Sequence, residues 1–348
     1  MILIGAALIT LAIKREMEPT LLLPMGFGAI LVNLPGVNTE AIKTLFDAGI
    51  SSELFPLLLF IGIGAMIDFG PLLSNPKMMF FGAAAQFGIF FTLILATLFG
   101  FSLNDAASIS IIGAADGPTS IVAATKLQSN YLGAIMVAAY SYMALVPIIQ
   151  PPFIRLVTTR KERLIRMEYN PKAVTKTTKI LFPIFVTIVA GAIAPESAQL
   201  IGFLMFGNLI RECGVLNSLS DTAQNVLANL ITLLLGFTVA LSMKAEQFVT
   251  LQTFLILGLG LVAFIFDTIG GVLFAKFLNL FLKQKMNPMI GAAGISAFPM
   301  SSRVIHKMGL KEDPYNYLLM HAAGANVSGQ IASVLAGGLL MSIVLGWK

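Results

Sequence analysis

The chain has 348 residues, of which 57% are hydrophobic and 11% charged, with a formal net charge of +5. Soluble domains carry roughly 25% charged residues, so this composition excludes an ordinary soluble core and points to an all-α integral membrane protein. Nucleic acid is excluded as a partner, because the basic residues sit in loops between apolar runs with no stacking aromatics among them.

Taken in order, the first apolar run, Met1 to Ile13, is too short to cross ~30 Å of hydrocarbon unaided. It has no basic residues before it and no cleavage site after it, so it reads as a clipped first helix rather than a secretory signal. Lys14 and Arg15 follow, then Glu16, Met17 and Glu18, for which the sequence suggests no function. Spans are expected near residues 20–35, 53–70 and 78–101. Glu53 falls at a helix start, where a carboxylate complements the helix dipole, and Asp68 at a helix end. A broken segment follows at 104–127, and a further helix starts at Tyr131-Leu132.

The stretch from Arg155 to Lys179 holds Arg155, Arg160, Lys161, Arg163, Arg166, Lys172, Lys176 and Lys179 against only Glu162 and Glu168. Such density marks a cytoplasmic loop. It divides the chain into residues 1–154, a linker at 155–177, and residues 178–348. Spans are then expected near 180–194, 198–212, 222–243 and 248–282, followed by a second broken segment at 286–307 and a last helix from Tyr317-Leu318. Asp267 is an apolar-flanked carboxylate in this half. The single Cys213 rules out an internal disulfide framework and, with no His or Cys beside it, a zinc site; it reads as a small buried hydrophobe.

The halves resemble one another. Ile112-Gly113-Ala114-Ala115 has a counterpart in Ile290-Gly291-Ala292-Ala293, and Gly28 has one in Gly207, at offsets of about 178 and 179. Tyr131-Leu132 and Tyr317-Leu318 continue the order, which argues for a duplicated unit. Placing Lys14 and Arg15 inside and counting crossings leaves the basic linker inside only if 104–127 enters and leaves by the same face. The segment 286–307 then enters from the cytoplasm, and only Lys43, Lys126, Lys244 and Lys348 face out. The expected architecture is two inverted repeats with opposed re-entrant hairpins, 104–127 and 286–307, and a site near the midplane.

Gly113-Ala114-Ala115-Asp116-Gly117-Pro118-Thr119-Ser120 puts a carboxylate among helix breakers that free backbone groups at membrane depth. A carboxylate in hydrocarbon is costly unless paired or metal-bound; the plainer reading is a helix cap at the interface. Oxygen ligands from Asp116, Thr119, Ser120 and loop carbonyls suit a hard cation. Asn287 and Ser296 add neutral oxygens on the second hairpin. Arg303 offers a planar fork to a carboxylate or a simple positive-inside anchor. Tyr140 and Tyr142 head a run toward Pro147, where Tyr142 would relay a proton or only hydrogen-bond. Asn326, Ser328 and Ser333, with Gly324, Gly329, Gly337 and Gly338, read first as small-residue helix packing and second as ion coordination.

At these residues the sequence closely resembles the β subunit of sodium-pumping, biotin-dependent decarboxylases, over essentially the whole chain. The likeness runs through Gly62 to Pro71, Gly113 to Ser120, Asn287 to Arg303 and Asn326-Val327-Ser328-Gly329. Members of that family usually carry more sequence before the first short helix. The resemblance implies functional positions at Asp116, Tyr142, Asn287, Gly291, Ser296 and Arg303. It implies sodium on Asp116, Thr119, Ser120, Asn287, Gly291 and Ser296, carboxybiotin at Arg303 and Asn287, and chemistry carried by Asp116, Tyr142, Ser296 and Arg303. It also implies a carboxyltransferase subunit, a biotin carrier protein and a small membrane subunit as partners, a homotrimer within the complex, and the inner membrane as location. Two other classes stay open at the level of sequence: a sodium-coupled carrier of a small carboxylate, in which Arg303 binds the cargo, and a non-catalytic membrane anchor.

Overall fold

The computed structural model describes residues 1–169 and 174–346; Lys172 and Lys348 of the sequence scheme lie outside them. Among the described residues every regular element is helical. Six helices are long and apolar enough to cross a membrane, seven if one bent pair counts as a span.

The chain opens with α1 (Ile2–Arg15) and α2 (Pro19–Val32), joined by a tight turn in which Glu16 and Glu18 take left-handed backbone, φ 51° and 37°. Pro19 occupies the first turn of α2, where a missing N–H breaks no hydrogen bond. Next, α3 (Glu40–Phe46) runs into a π turn at Asp47–Ser51, and α4 (Leu54–Met66) leaves it at 64° after Glu53, φ 62°. Asp68 lies in the break before the short α5 (Gly70–Ser74), where Lys179 Nζ reaches its Oδ1 at 3.2 Å.

The span expected at 78–101 runs from Pro76 to Leu98 but is divided into α6 (Met79–Ala84) and α7 (Phe87–Leu98). Asp267 explains the division: its fully buried carboxylate accepts the Gly88 N–H and caps the start of α7. Along α7, Phe87, Phe90, Ile94 and Leu98 form one exposed apolar stripe, a face suited to lipid.

The first broken segment consists of α8 (Leu103–Ser110), a 3₁₀ turn at Ile111–Ala114 and α9 (Gly117–Lys126). Its ends lie together, since Asn104 Nδ2 donates to Leu127 O at 2.7 Å. A 26-residue helix, α10 (Leu132–Val157), carries Pro147, Pro151 and Pro152, so the linker begins as helix. It continues through α11 (Arg160–Arg163), whose start is fixed by a reciprocal Thr159–Glu162 cap.

The second half holds α12 (Lys176–Ile193), α13 (Ala198–Cys213), α14 (Asn217–Asp221), a π turn at Thr222–Leu227, α15 (Ala228–Ala240), α16 (Ala245–Phe248) and the 31-residue α17 (Leu251–Phe281). A 3₁₀ run at Pro288–Gly294 leads to α18 (Met300–Glu312), and α19 (Leu319–Gly346) closes the chain. Cys213 is half-buried rather than buried, its thiol donating to Ile210 O at 3.0 Å.

Two close crossings set the packing of the outer helices. A Cβ on Gly207 of α13 would stand 2.1 Å from Ile61 O of α4, and one on Gly28 of α2 would stand 2.6 Å from Ala240 Cβ of α15. The two crossings exchange partners: residues 28 and 207, and likewise 61 and 240, are about 179 positions apart. Lys126–Glu196 joins loops assigned outside, while Arg163–Glu312, Arg166–Asp313, Lys276–Glu162 and Lys179–Glu212 join groups assigned to the cytoplasm.

Candidate functional site

Asp116 is the N-cap of α9, placed there by Ala115, whose left-handed backbone (φ 53°) turns the chain between the 3₁₀ turn and the helix. Its carboxylate is only 2% exposed. Oδ1 accepts the Thr119 N–H at 3.1 Å, and Oδ2 accepts the Ser333 hydroxyl at 2.8 Å. Ser120 Oγ donates to the Asp116 carbonyl at 2.8 Å. Asp116 is therefore a helix cap, but a buried one: among the described residues no basic side chain pairs with it. Its negative charge rests on hydroxyls and one amide alone.

The second broken segment meets the first at this point. Ser296 N–H and Ser296 Oγ both donate to Ala114 O, each at 3.0 Å, two residues from Asp116. Asn326 Nδ2 donates to Ile295 O at 2.7 Å, which leaves Asn326 Oδ1 buried without a partner. The Thr119 hydroxyl, buried beside Asp116, also lacks a hydrogen bond of ordinary geometry. Orphaned buried oxygens are rare because each forgoes its bonds to water. The Thr119 hydroxyl beside an unpaired carboxylate, with the Asn326 oxygen on the same face of α19 as Ser333, makes an oxygen-rich setting suited to a hard cation.

One face of α19 organises this cluster. Asn326, Gly329 and Ser333 recur at helical spacing, and a Cβ on Gly329 would stand 2.1 Å from Gly294 O. Only glycine lets α19 lie against the second segment, which carries Asn326 to Ile295 and Ser333 to Asp116. Ser328 points elsewhere, accepting Gly82 N–H at 3.0 Å and donating to Met78 O at 2.9 Å.

The structure separates the remaining sequence candidates from this cluster. The Tyr142 hydroxyl donates to Leu257 O on α17. Tyr140, two residues earlier and so on nearly the opposite side of α10, packs its ring where a Cβ on Gly117 would be 2.4 Å away. Its hydroxyl is fully buried without a partner, and its phenol lies close enough to feel the Asp116 charge. Sequence reading ranked Tyr142 first; only helix phase could have singled out Tyr140. Asn287 caps the 3₁₀ run, its Oδ1 accepting Met289 N–H at 3.1 Å while Nδ2 donates to Arg163 O at 2.8 Å and Ile165 O at 3.0 Å. It clips the linker to the second segment. Gly291 crosses Gly271 of α17 where a Cβ would stand 1.9 Å from Gly271 O.

Arg303 is exposed on α18 and lines a cavity of about 970 Å³ with Arg15, Glu16, Met17 and Arg155. Glu18, at the same turn, has its carboxyl pushed up by burial, with the Arg303 charge acting against that shift.

A bundle of apolar helices, with lipid-suited faces and an unpaired carboxylate buried where two broken segments touch, is a multi-pass membrane protein. A family model described as Na+-transporting oxaloacetate decarboxylase beta subunit matches residues 1–344. The chain is 52% identical over 345 residues to methylmalonyl-CoA decarboxylase subunit beta of Veillonella parvula, covering 99% of this chain and 92% of that one. It is 50% identical over 349 residues to glutaconyl-CoA decarboxylase subunit beta of Acidaminococcus fermentans, covering 99% and 93%. To the oxaloacetate decarboxylase beta chain of Klebsiella pneumoniae it is 43% identical over 410 residues, covering 99% and 94%. The chain belongs to this family of sodium-transporting decarboxylase beta subunits.

Proposed function

We propose that the chain is the membrane subunit of a pump that decarboxylates carboxybiotin and couples release of CO2 and uptake of a proton to sodium export. The observation that carries the reading is the Asp116 carboxylate, buried, unpaired and held at the contact of the two broken segments. Sodium is the cargo, taken by Asp116 with Thr119, Ser120, Ser296 and the free Asn326 oxygen. Asn287 and Gly291 fix the path of the second segment, which sets where Ser296 stands.

In this proposal residues 1–154 and 178–348 form two inverted repeats joined by the linker 155–177, with 104–127 and 286–307 as opposed re-entrant hairpins. The exchanged crossings at Gly28 and Gly207 support it, because a pseudo-two-fold swaps the partners of equivalent helices. So does the closure of 104–127 on itself. The ion pairs favour a cytoplasmic linker, and the relatives favour the bacterial inner membrane.

Arg303 orients the carboxylate of carboxybiotin at the cytoplasmic cavity. Decarboxylation breaks the N–C bond, the electron pair stays on the biotin nitrogen, CO2 leaves, and one proton must reach that nitrogen. Asp116 holds either sodium or a proton, since each occupant removes the charge that attracts the other. Tyr142 and Tyr140 are the phenols available to relay the proton. One bundle moving against the other would expose Asp116 to each side in turn. The proposed partners are a carboxyltransferase subunit, a biotin carrier protein and a small membrane subunit, around a homotrimer of this chain. The relatives are decarboxylase subunits, and no observation favours a carboxylate carrier instead.

The test is reconstitution in liposomes with carboxybiotin. Sodium uptake that starts and stops with CO2 release is expected, and carboxylate uptake without decarboxylation would refute the pump. In the same assay Ser333→Ala removes one of the bonds that hold Asp116 Oδ2. A hydrogen bond to a charged group contributes roughly 1.5–3 kcal/mol. Half-maximal sodium concentration should therefore rise about tenfold or more; an unchanged sodium dependence would separate Ser333 from the ion.

A further inference from the structure

The cavity beside Arg303 holds more positive charge than one carboxybiotin can use. Arg15, Arg155, Arg303, Lys307 and Lys311 all line it, against the single carboxylate of Glu16. None of these five cations forms an ion pair among the described residues, whereas Arg160, Arg163, Arg166, Lys179 and Lys276, assigned to the same face, all do. The lack of partners is thus particular to this cavity. Arg303, Lys307 and Lys311 stand four residues apart on α18, so they form one exposed row along the helix. Like charges at that spacing repel; the Glu18 carboxyl acts on Arg303, but no ion pair among the described residues engages Lys307 or Lys311.

The apolar part of the lining is as specific. Met300, Val304 and Met308 lie between the cations, with Pro147, Ile148 and Pro151 of α10 opposite. Flexible thioethers and aliphatic groups suit a narrow apolar arm better than a folded surface. A volume of about 970 Å³ accommodates such an arm and its head group.

We infer that this cavity docks the protein that delivers carboxybiotin, by an acidic surface on that protein. The head-group carboxylate goes to Arg303, the aliphatic arm lies along Met300, Val304 and Met308, and Lys307, Lys311 and Arg155 engage carboxylates around the carrier's attachment point. The inference rests on the proposed carboxybiotin reaction and adds to it the chemistry of the partner's face. Charges at such a rim act mainly on encounter and on its salt dependence.

The test uses the intact purified complex and the variant Lys307→Glu/Lys311→Glu. Two substrates are compared: free carboxybiotin, and the separately prepared carboxylated carrier protein. For the carrier-linked substrate, KM should rise about tenfold or more with kcat within twofold, and the steep salt dependence of the unmodified complex should flatten. Turnover of free carboxybiotin should persist, which also reports that the variant is folded. Equal losses with both substrates, or no change with either, would overturn the docking surface. An effect seen only in vesicles containing anionic lipid, and equal for both substrates, would assign the row to lipid head groups and overturn it as well. Failure of the unmodified complex to decarboxylate either substrate is a different result, and would refute the underlying reaction.

Discussion

Asp116→Asn is expected to abolish sodium transport and CO2 release together, by about 10²–10³-fold or more, while leaving the fold intact. The amide is nearly the size of the carboxylate, and its oxygen can still accept the Thr119 N–H, so α9 keeps its cap. The charge that would hold sodium in a buried, cation-free setting is gone. Three measurements decide the outcome: sodium uptake, CO2 release and thermal unfolding in detergent with and without sodium. Sodium should raise the unfolding temperature of the unmodified protein, since a ligand that binds only the folded state stabilises it. The variant should unfold at a similar temperature but lose the sodium-dependent shift. A non-catalytic anchor would instead leave transport untouched, and coupled transport by the variant would remove Asp116 from the ion path.

Gly329→Val should produce a large loss of stability. A Cβ at this position would lie 2.1 Å from Gly294 O and 2.8 Å from Ile295 O, both backbone atoms that no side-chain rotation can relieve. To reach ordinary contact α19 must move outward, and it carries Asn326 and Ser333 with it. The bonds of Asn326 to Ile295 and of Ser333 to Asp116 then stretch together. Overpacking of a tight contact typically costs 1–3 kcal/mol, and this contact is tighter than most, so about 3 kcal/mol or more is expected. Thermal unfolding and half-maximal sodium concentration should both change. Gly258 of α17 is the control, because nothing lies within 4 Å of its position. Gly258→Ala should be neutral or slightly stabilising, helix propensity being the only contribution altered. Equal behaviour of the two variants would contradict the packing of α19 on the second broken segment.

The amino-acid sequence by itself determined the apolar helices to within a few residues, the dense basic stretch and a carboxylate, Asp116, held among helix breakers. Each of those follows from local composition: run length against hydrocarbon thickness, charge density in a loop, and the cost of a carboxylate among helix breakers. It left Ser333 among packing residues, although Asn326, Gly329 and Ser333 share one helix face and could have been read as a polar stripe. What only the tertiary structure decided is which distant groups meet. Asp116 and Ser333 are 217 residues apart, and Asp267 caps a helix 179 residues away. Helical phase also decided between two tyrosines that sequence treats as neighbours, turning Tyr140 toward Asp116 and Tyr142 toward Leu257. Periodicity fixes the faces of one helix, whereas the partner of each face is chosen by packing across the whole chain. That choice depends on where glycines permit backbones to touch, at Gly207 on Ile61 and at Gly329 on Gly294.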